Sequence, residues 1–383
     1  MDKLAGLCLR LATKRQNEPL VNQKNAAAWV VAIFGYRLPA LHFRCYKEQD
    51  CLASLARTVM DLIATPKNPI PLGGSIGYLK GKGGVRLRYA RWPSALKQRH
   101  GTVCIFTGRA EFIEKYFEVV GDLRRRGFAV SVLDWRGQGG SGRLVRNSLK
   151  GHVKSFADYE DDVTRFMNEV ALPDCPPPYY ALAHSMGATV LLRAATMRGC
   201  WFSRMVMTAP MLEIVGLPMP PRAVAAVTTG ISLCGFGWLA MPGGMKDYFD
   251  SQRFEGNPLS GDHERFVRNQ AVLSAAPALA VGPPTIGWVC GALSLMAAVE
   301  SDKFPNKLRV PVLMLAAGDD RIVSSKAIEE FANRLRVGTQ LVLRGSRHEI
   351  LQERDLIREQ FWAAFDAFVP GEVTSKLGEP VVT

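Results

Sequence analysis

The alternation of strand-like and helix-like segments most constrains the fold of this 383-residue chain. Short apolar runs such as residues 102–107 and 128–134 flank segments of helical spacing such as residues 111–127. The same alternation continues to residue 210 and resumes over residues 310–368. Strands that alternate with helices predict an α/β fold, with a mostly parallel central sheet and helices on both faces.

Residues 211–305 interrupt this alternation with apolar sequence that is rich in proline and glycine. We expect this insertion to form a helical cap over the carboxyl edge of the sheet, where open α/β sheets place their sites. The core is then predicted at residues 60–210 and 306–370, with a tail at residues 371–383. Residues 1–59 show no sustained period, which predicts a poorly ordered extension or a misassigned start codon.

The net positive charge of the chain indicates which kinds of partner it could bind. The net charge is +13, which suits an anionic partner. The sequence contains no nucleic-acid-binding motif and no basic run interleaved with aromatic residues, so no nucleic acid is expected. The charge therefore favours peripheral contact with an anionic membrane surface. Solvated surface charge without a specific partner is the alternative.

Two long stretches without charged residues raise the question of membrane spans. One lies between Arg222 and Lys246, the other between Arg268 and Glu300. Their glycines and a Pro-Pro pair predict short, broken apolar helices instead. The eight cysteines form no C-x-x-C pair, which argues against a zinc site or a disulfide framework. This pattern fits a reducing compartment, either the cytoplasm or the inner face of the membrane.

The segment Ala183-His184-Ser185-Met186-Gly187 lies between an apolar strand-like run and an apolar helix-like run. A serine in a sharp strand-to-helix turn is a nucleophile elbow, whose usual pattern is Gly-x-Ser-x-Gly. Here an alanine replaces the first glycine. The motif alone leaves open the alternative of an ordinary loop serine.

A serine nucleophile needs a base, and the base needs an acid that orients it. In nucleophile-elbow enzymes the chain order is serine, acid, histidine. Of the six histidines, only His263 and His348 follow Ser185. His263 lies in a segment of the insertion that favours a solvated polar loop, so His348, after the last strand, is the predicted base. Asp320, after the preceding strand, is the predicted acid, and Asp319 is the alternative.

The negative oxygen of the reaction intermediate needs two backbone N–H donors. Met186, directly after the serine, is predicted to supply one. Arg109, in the loop after the strand at residues 102–107, is predicted to supply the other, and Gly108 allows the turn. Neither a metal nor a cofactor is predicted.

These motifs together resemble the α/β-hydrolases of the bacterial lysophospholipase and monoacylglycerol-lipase group. The resemblance covers roughly residues 60–370, and its most specific stretch is TGRAEFIEKYFEVVGDLRRRGFAVSVLDWRGQGGSGR at 107–143. It continues in GHVKSFADYEDD at 151–162, in the elbow, and in GDDRIV and SRHEIL. Thr107 stands where many relatives have histidine, which changes a supporting residue.

The resemblance implies an α/β-hydrolase fold in which Ser185, Asp320 and His348 form a catalytic triad. It also implies that Arg109 and Met186 supply the oxyanion donors. Our hypothesis is a serine carboxylic-ester hydrolase that acts on lysophospholipids or monoacylglycerols through an acyl-enzyme intermediate. The apolar insertion suits such an acyl chain.

Two alternatives remain open. An aminopeptidase or an acyltransferase could use the same triad. An aminopeptidase would need acids to hold a substrate ammonium group, and the insertion offers Asp247, Asp250, Glu255 and Asp262. A non-catalytic lipid-binding or membrane-docked protein is the alternative of another class.

Overall fold

A computed structural model describes residues 61–97, 99–197, 200–244 and 253–369 of the chain. The predicted extension at residues 1–59 and the predicted tail at residues 371–383 lie outside the described residues.

The described residues form one sheet and its covering helices. The strands are β1 (Ser75–Lys80), β2 (Arg86–Trp92), β3 (Thr102–Phe106), β4 (Ala129–Leu133), β5 (Tyr179–His184), β6 (Arg204–Thr208), β7 (Val312–Ala317) and β8 (Gly338–Leu343). Apart from one three-residue helix at Leu172–Asp174, the α-helices in the described residues are α1 (Phe117–Arg125), α2 (Ala157–Phe166), α3 (Ser185–Met197), α4 (Pro221–Ile231), α5 (His263–Ala275), α6 (Ile286–Glu300), α7 (Ser325–Arg334) and α8 (Asp355–Phe368).

The eight described strands form a single sheet in the order β1-β2-β4-β3-β5-β6-β7-β8. The pairs β1–β2 and β2–β4 are antiparallel, and the five other pairs are parallel. The carboxyl ends of β3, β5, β7 and β8 therefore meet at one edge. The predicted α/β class is confirmed, and β1 and β2 form an antiparallel hairpin.

Helices cover both faces of the sheet. In β3, Cys104 and Phe106 belong to the buried cluster that includes residues of α2, α3 and α7, while Val103 and Ile105 belong to the cluster that includes residues of α1 and α8. Successive side chains of a strand point to opposite faces, so an unbroken apolar run fits a strand buried on both sides. For this reason the sequences of these strands are continuously apolar and do not alternate between apolar and polar residues.

The helix predicted over residues 111–127 is shorter in the structure. It starts as a 3-10 turn at Ile113–Tyr116 and becomes α-helical only in α1. The Ile113 N–H donates to the Asp134 carboxylate at 3.0 Å, so a side chain from the loop after β4 binds the first turn. The periodicity of the sequence gives no information about such a contact between residues that are far apart in the chain.

The insertion between β6 and β7 contacts the carboxyl edge of the sheet. The N–H of Glu349, after β8, donates to the carbonyl of Leu259 at 2.7 Å. The Ser260 hydroxyl donates to the Gln352 carbonyl at 2.6 Å. Pro283 and Pro284 separate α5 from α6. None of the helices in the described ranges combines the length and the apolar character that crossing a bilayer requires.

A fully buried ion cluster joins the hairpin to the core. The Arg88 guanidinium donates to both oxygens of Glu114 at 2.8 Å and to Asp134 at 2.7 Å. All three side chains are inaccessible to solvent. If one partner is removed, the remaining buried charge has no counter-charge. The resulting destabilisation is larger than the net stabilisation that the intact pair provides.

We therefore expect Arg88→Met to lower the free energy of unfolding by about 3–5 kcal/mol. The matched control is Arg125→Met. Arg125 pairs with Asp122 on the surface, so its loss should cost less than about 1 kcal/mol. Urea unfolding of both variants measures the difference, and equal small losses would show that the buried cluster is not stabilising.

Candidate active site

The serine of the elbow stands at the turn from β5 into α3. Ser185 has φ +48°, the left-handed region that non-glycine residues rarely adopt. Such strain is typical of the sharp turn that presents a nucleophile. A Cβ on Gly187 would lie 2.4 Å from the Thr107 carbonyl oxygen and 2.6 Å from that of Phe106. The second glycine of the motif is therefore required by the close approach of β3.

Ala183, which replaces the first glycine, lies inside β5 rather than in the turn. It is buried and pairs with Phe106 on one side and Met207 on the other. Its methyl group packs in the apolar core beneath α3. The departure from the usual pattern is therefore accommodated by the sheet.

The structure brings Ser185, His348 and Asp320 into one hydrogen-bonded chain. Nε2 of His348 lies 2.9 Å from the Ser185 hydroxyl oxygen, and Nδ1 lies 2.8 Å from Oδ2 of Asp320. The serine is only 7% exposed, and the aspartate side chain is fully buried. Asp319, the alternative acid, is exposed. His263 is the first residue of α5, not a loop residue, and its ring packs against Phe254.

Asp320 is held as a carboxylate. Burial alone would raise its pKa, but the hydrogen bond from His348 and those from the backbone outweigh burial and lower the pKa. The backbone donors are the N–H groups of Ile322 at 2.8 Å and Val323 at 3.0 Å, both bound to Oδ1. The second oxygen remains for the imidazole.

The loop after β3 leaves the N–H of Arg109 available. The Gly108 N–H donates to the Glu111 carboxylate, and the Ala110 N–H donates to the Gln138 side-chain oxygen. No acceptor among the described residues bonds the Arg109 N–H. The Met186 N–H lies in the first turn of α3, where N–H groups lack an intrahelical acceptor.

A buried charge cluster supports this loop, and sequence reasoning missed it. The Lys115 ammonium lies 3.0 Å from Glu111 and 2.5 Å from Glu349, the residue after the predicted base. The Tyr116 hydroxyl donates to Glu111 at 2.7 Å. Burial would raise the pKa of both carboxyl groups. Lys115 and the hydrogen bonds lower that of Glu111 to about 2, whereas that of Glu349 stays raised.

His184, the second residue of the elbow, is buried beside the predicted base. Its ring centroid lies 4.8 Å from that of His348, and its Nδ1 lies 3.1 Å from the Thr208 carbonyl oxygen. Burial is the main cause that lowers its pKa to about 4, and the His348 and Lys115 charges add to it. His184 is therefore neutral near pH 7.

This lowered pKa predicts a loss of stability in acid. The unfolded imidazole has an ordinary pKa of about 6.5, so between that pH and about 4 the unfolded chain binds the additional proton. The contribution of His184 is thus present above about pH 6.5 and falls by about 3 kcal/mol towards pH 4. Urea unfolding across this range should show a shallower acid slope for His184→Gln, and an unchanged slope would contradict the assignment.

A metal site would need a cluster of ligating side chains among the described residues. They contain no group of three or more His, Cys, Asp and Glu side chains that could hold a metal ion. The polar groups at the carboxyl edge instead form the hydrogen-bonded chain and the charge cluster described above.

A buried serine, histidine and aspartate at the carboxyl edge of a mostly parallel sheet define an α/β-hydrolase of the serine type. Residues 97–355, more than half of the chain, match the family described as serine aminopeptidase, S33. The chain belongs to this family of serine hydrolases, which confirms the predicted enzyme class.

Two bacterial proteins with similar sequences each align with most of this chain. Lysophospholipase L2 of Escherichia coli strain K12 is 30% identical over 292 residues, which are 72% of this chain and 81% of that protein. Phospholipase YtpA of Bacillus subtilis strain 168 is 26% identical over 70% of this chain and 93% of its own length.

Solved structures support the fold. A soluble variant of monoglyceride lipase from Saccharomyces cerevisiae has a TM-score of 0.60 at 17% identity, covering 77% of this chain and 95% of its own. A carboxyl esterase from Bacillus coagulans also has a TM-score of 0.60 at 18% identity, with 78% and 100% covered.

Proposed function

We propose that this chain hydrolyses carboxylic esters of lipids, lysophospholipids or monoacylglycerols, with Ser185, His348 and Asp320 as its catalytic triad. The observation that carries the proposal is the hydrogen-bonded chain from Ser185 through His348 to Asp320. Distances of 2.9 and 2.8 Å are short enough for proton transfer and for orientation of the imidazole.

The reaction follows from this geometry. His348 Nε2 takes the proton of the Ser185 hydroxyl as its oxygen attacks the ester carbonyl. The N–H groups of Arg109 and Met186 stabilise the negative oxygen of the tetrahedral intermediate. The C–O bond then breaks, and the leaving alcohol takes the proton from His348. Water, deprotonated by the same imidazole, attacks the acyl-enzyme and releases the fatty acid and the free serine.

Two observations favour lipid esters over peptide substrates. The relatives with the names lysophospholipase and phospholipase cover most of this chain. Among the acids that could hold a substrate ammonium group, Asp262 caps α5 and pairs with Arg265 at 2.8 Å, and Glu255 is exposed. Asp247 and Asp250 lie outside the described residues.

A substrate panel tests the proposal. We expect purified protein to release fatty acid from lysophospholipids and monoacylglycerols, and to leave aminoacyl amides intact. Ser185→Ala run in parallel excludes contaminating lipases. Hydrolysis of amides faster than esters would instead assign an aminopeptidase, and transfer of the acyl group to an added alcohol in preference to water would assign an acyltransferase.

We also propose peripheral contact with an anionic membrane, at the inner face of the cytoplasmic membrane. The insertion exposes large apolar side chains on α4 and directly after it, among them Leu233, Phe236 and Trp238. The Lys150 ammonium lies 4.8 Å from the Trp238 ring, which places positive charge beside this surface. Apolar side chains next to basic residues are typical of interfacial binding.

Vesicle sedimentation tests this contact. The protein should sediment with phosphatidylglycerol vesicles more than with phosphatidylcholine vesicles, and Leu233→Asp should reduce binding. Leu356→Asp, at an exposed leucine of α8, is the matched control. Equal binding of both variants to anionic vesicles would contradict this surface.

A further inference from the structure

The side chain of Arg109 extends from the loop after β3, which carries a proposed oxyanion donor, to the insertion. Its guanidinium donates to the Gly282 carbonyl of the insertion at 2.8 and 3.1 Å. It lies 5.5 Å from the centroid of the Trp288 ring, which covers one of its faces. The backbone of the same residue lies in the loop that follows β3.

The guanidinium charge has no acidic partner among the described residues. Burial lowers the pKa of Arg109 to about 10, and the only titratable group that opposes this shift is the Tyr159 phenol, which is itself neutral near pH 7 because burial raises its pKa. The guanidinium therefore remains protonated near pH 7. A partly buried charge without a counter-charge is unusual in a folded protein, because buried charges are normally paired.

The donors of Arg109 are also only partly used. A guanidinium has five N–H groups in a planar fork. Two of its nitrogens share one carbonyl oxygen, and no other acceptor in the described part of the chain bonds to them. The remaining donors suit an anion with several oxygens, which arginine binds in a bidentate manner.

We propose that the Arg109 guanidinium binds the phosphate of a lysophospholipid and so determines the preference of the site for phosphate-bearing over neutral acyl glycerols. This inference rests on the proposed ester hydrolysis. In this proposal the backbone and the side chain of Arg109 bind two different groups of the same substrate. The backbone N–H binds the carbonyl oxygen of the ester. The side chain binds the phosphate, which the glycerol unit separates from the ester.

A purely structural role for Arg109 predicts a different result, and Arg143 provides the comparison. Arg143 also donates to carbonyl oxygens of the insertion, those of Ala278 at 2.5 Å and Ala280 at 3.4 Å. It comes from the loop after β4 rather than from the loop after β3. If Arg109 only fixed the insertion, the loss of either arginine would affect all substrates alike.

The test compares octanoyl lysophosphatidylglycerol with monooctanoylglycerol, which share one acylglycerol unit and differ in the anionic phosphoglycerol headgroup. For Arg109→Gln we expect the ratio of kcat/KM for the two substrates to fall by about 10- to 100-fold, the range of a charged hydrogen bond. A disturbance of the loop would lower kcat/KM for both substrates and would therefore leave the ratio unchanged. Arg109→Lys should retain only part of the ratio, because lysine keeps the charge but not the bidentate fork, and Arg143→Gln should retain all of it.

Two results would overturn the inference: an unchanged ratio in Arg109→Gln, or the same change of ratio in Arg143→Gln. If the unaltered protein hydrolysed neither substrate, the proposed function itself would fail. The two failures are therefore distinguishable.

Discussion

Ser185→Ala should lower kcat on p-nitrophenyl acyl esters by on the order of 10⁴- to 10⁶-fold, as loss of a triad member does elsewhere. The hydroxyl oxygen, 2.9 Å from His348 Nε2, is the only atom of the elbow serine that can form the acyl-enzyme. The residual rate would come from the oxyanion donors and from substrate binding.

The control for Ser185→Ala is Ser294→Ala, at an exposed serine of α6. This control should keep the activity of the unaltered protein, and both variants should show its thermal unfolding temperature. A folded Ser185→Ala protein with a rate within about tenfold of the unaltered protein would remove this serine from the mechanism, since triad losses are far larger.

Asp320→Asn should lower kcat by on the order of 10⁴-fold. The carboxylate accepts from His348 Nδ1 at 2.8 Å, which holds the tautomer that leaves Nε2 free to take the serine proton. An asparagine can present its NH₂ group to this nitrogen and favour the wrong tautomer. The carboxylate would also no longer stabilise the imidazolium that forms during attack.

The neighbouring acid provides a matched control for this prediction. Asp319 carries the same side chain one residue earlier, but it is exposed. Asp319→Asn should therefore change kcat by less than about twofold, within the small effects typical of surface substitutions. A large loss in Asp319→Asn with near-normal activity in Asp320→Asn would exchange the roles of the two residues.

The order of motifs along the chain predicted that the candidate site residues would lie at one edge of the sheet. Ser185, Asp320 and His348 each follow a strand, and parallel strands bring their carboxyl ends to one edge. Apolar runs and helical spacing likewise predicted the sheet and its helices, because burial on two faces leaves a continuous apolar signal.

The charge cluster could not be predicted in this way. Lys115 and Glu349 are 234 residues apart, and neither belongs to a periodic pattern that would mark it as a contact. Charged residues in a helical segment usually face solvent, whereas Lys115 is buried and paired. Its one local signal was the spacing of Glu111 and Lys115, four residues apart, which also suits a surface pair.

Gln138 was missed for a similar reason. It lies in the glycine-rich loop after β4. Its side chain accepts from the Ala110 N–H and lies 3.7 Å from the Met186 sulfur. It therefore contacts both segments that carry the proposed oxyanion donors, a role that follows only from the packing of three separate loops.

Labelling with a fluorophosphonate probe tests the proposed triad most directly, because the probe reacts with an activated serine and needs no knowledge of the natural ester. Intact-mass and peptide analysis should find one adduct, at Ser185, with labelling lost in Ser185→Ala and strongly slowed in His348→Ala. A folded protein that stays unlabelled, or that carries its adduct on another residue, would contradict the proposed mechanism.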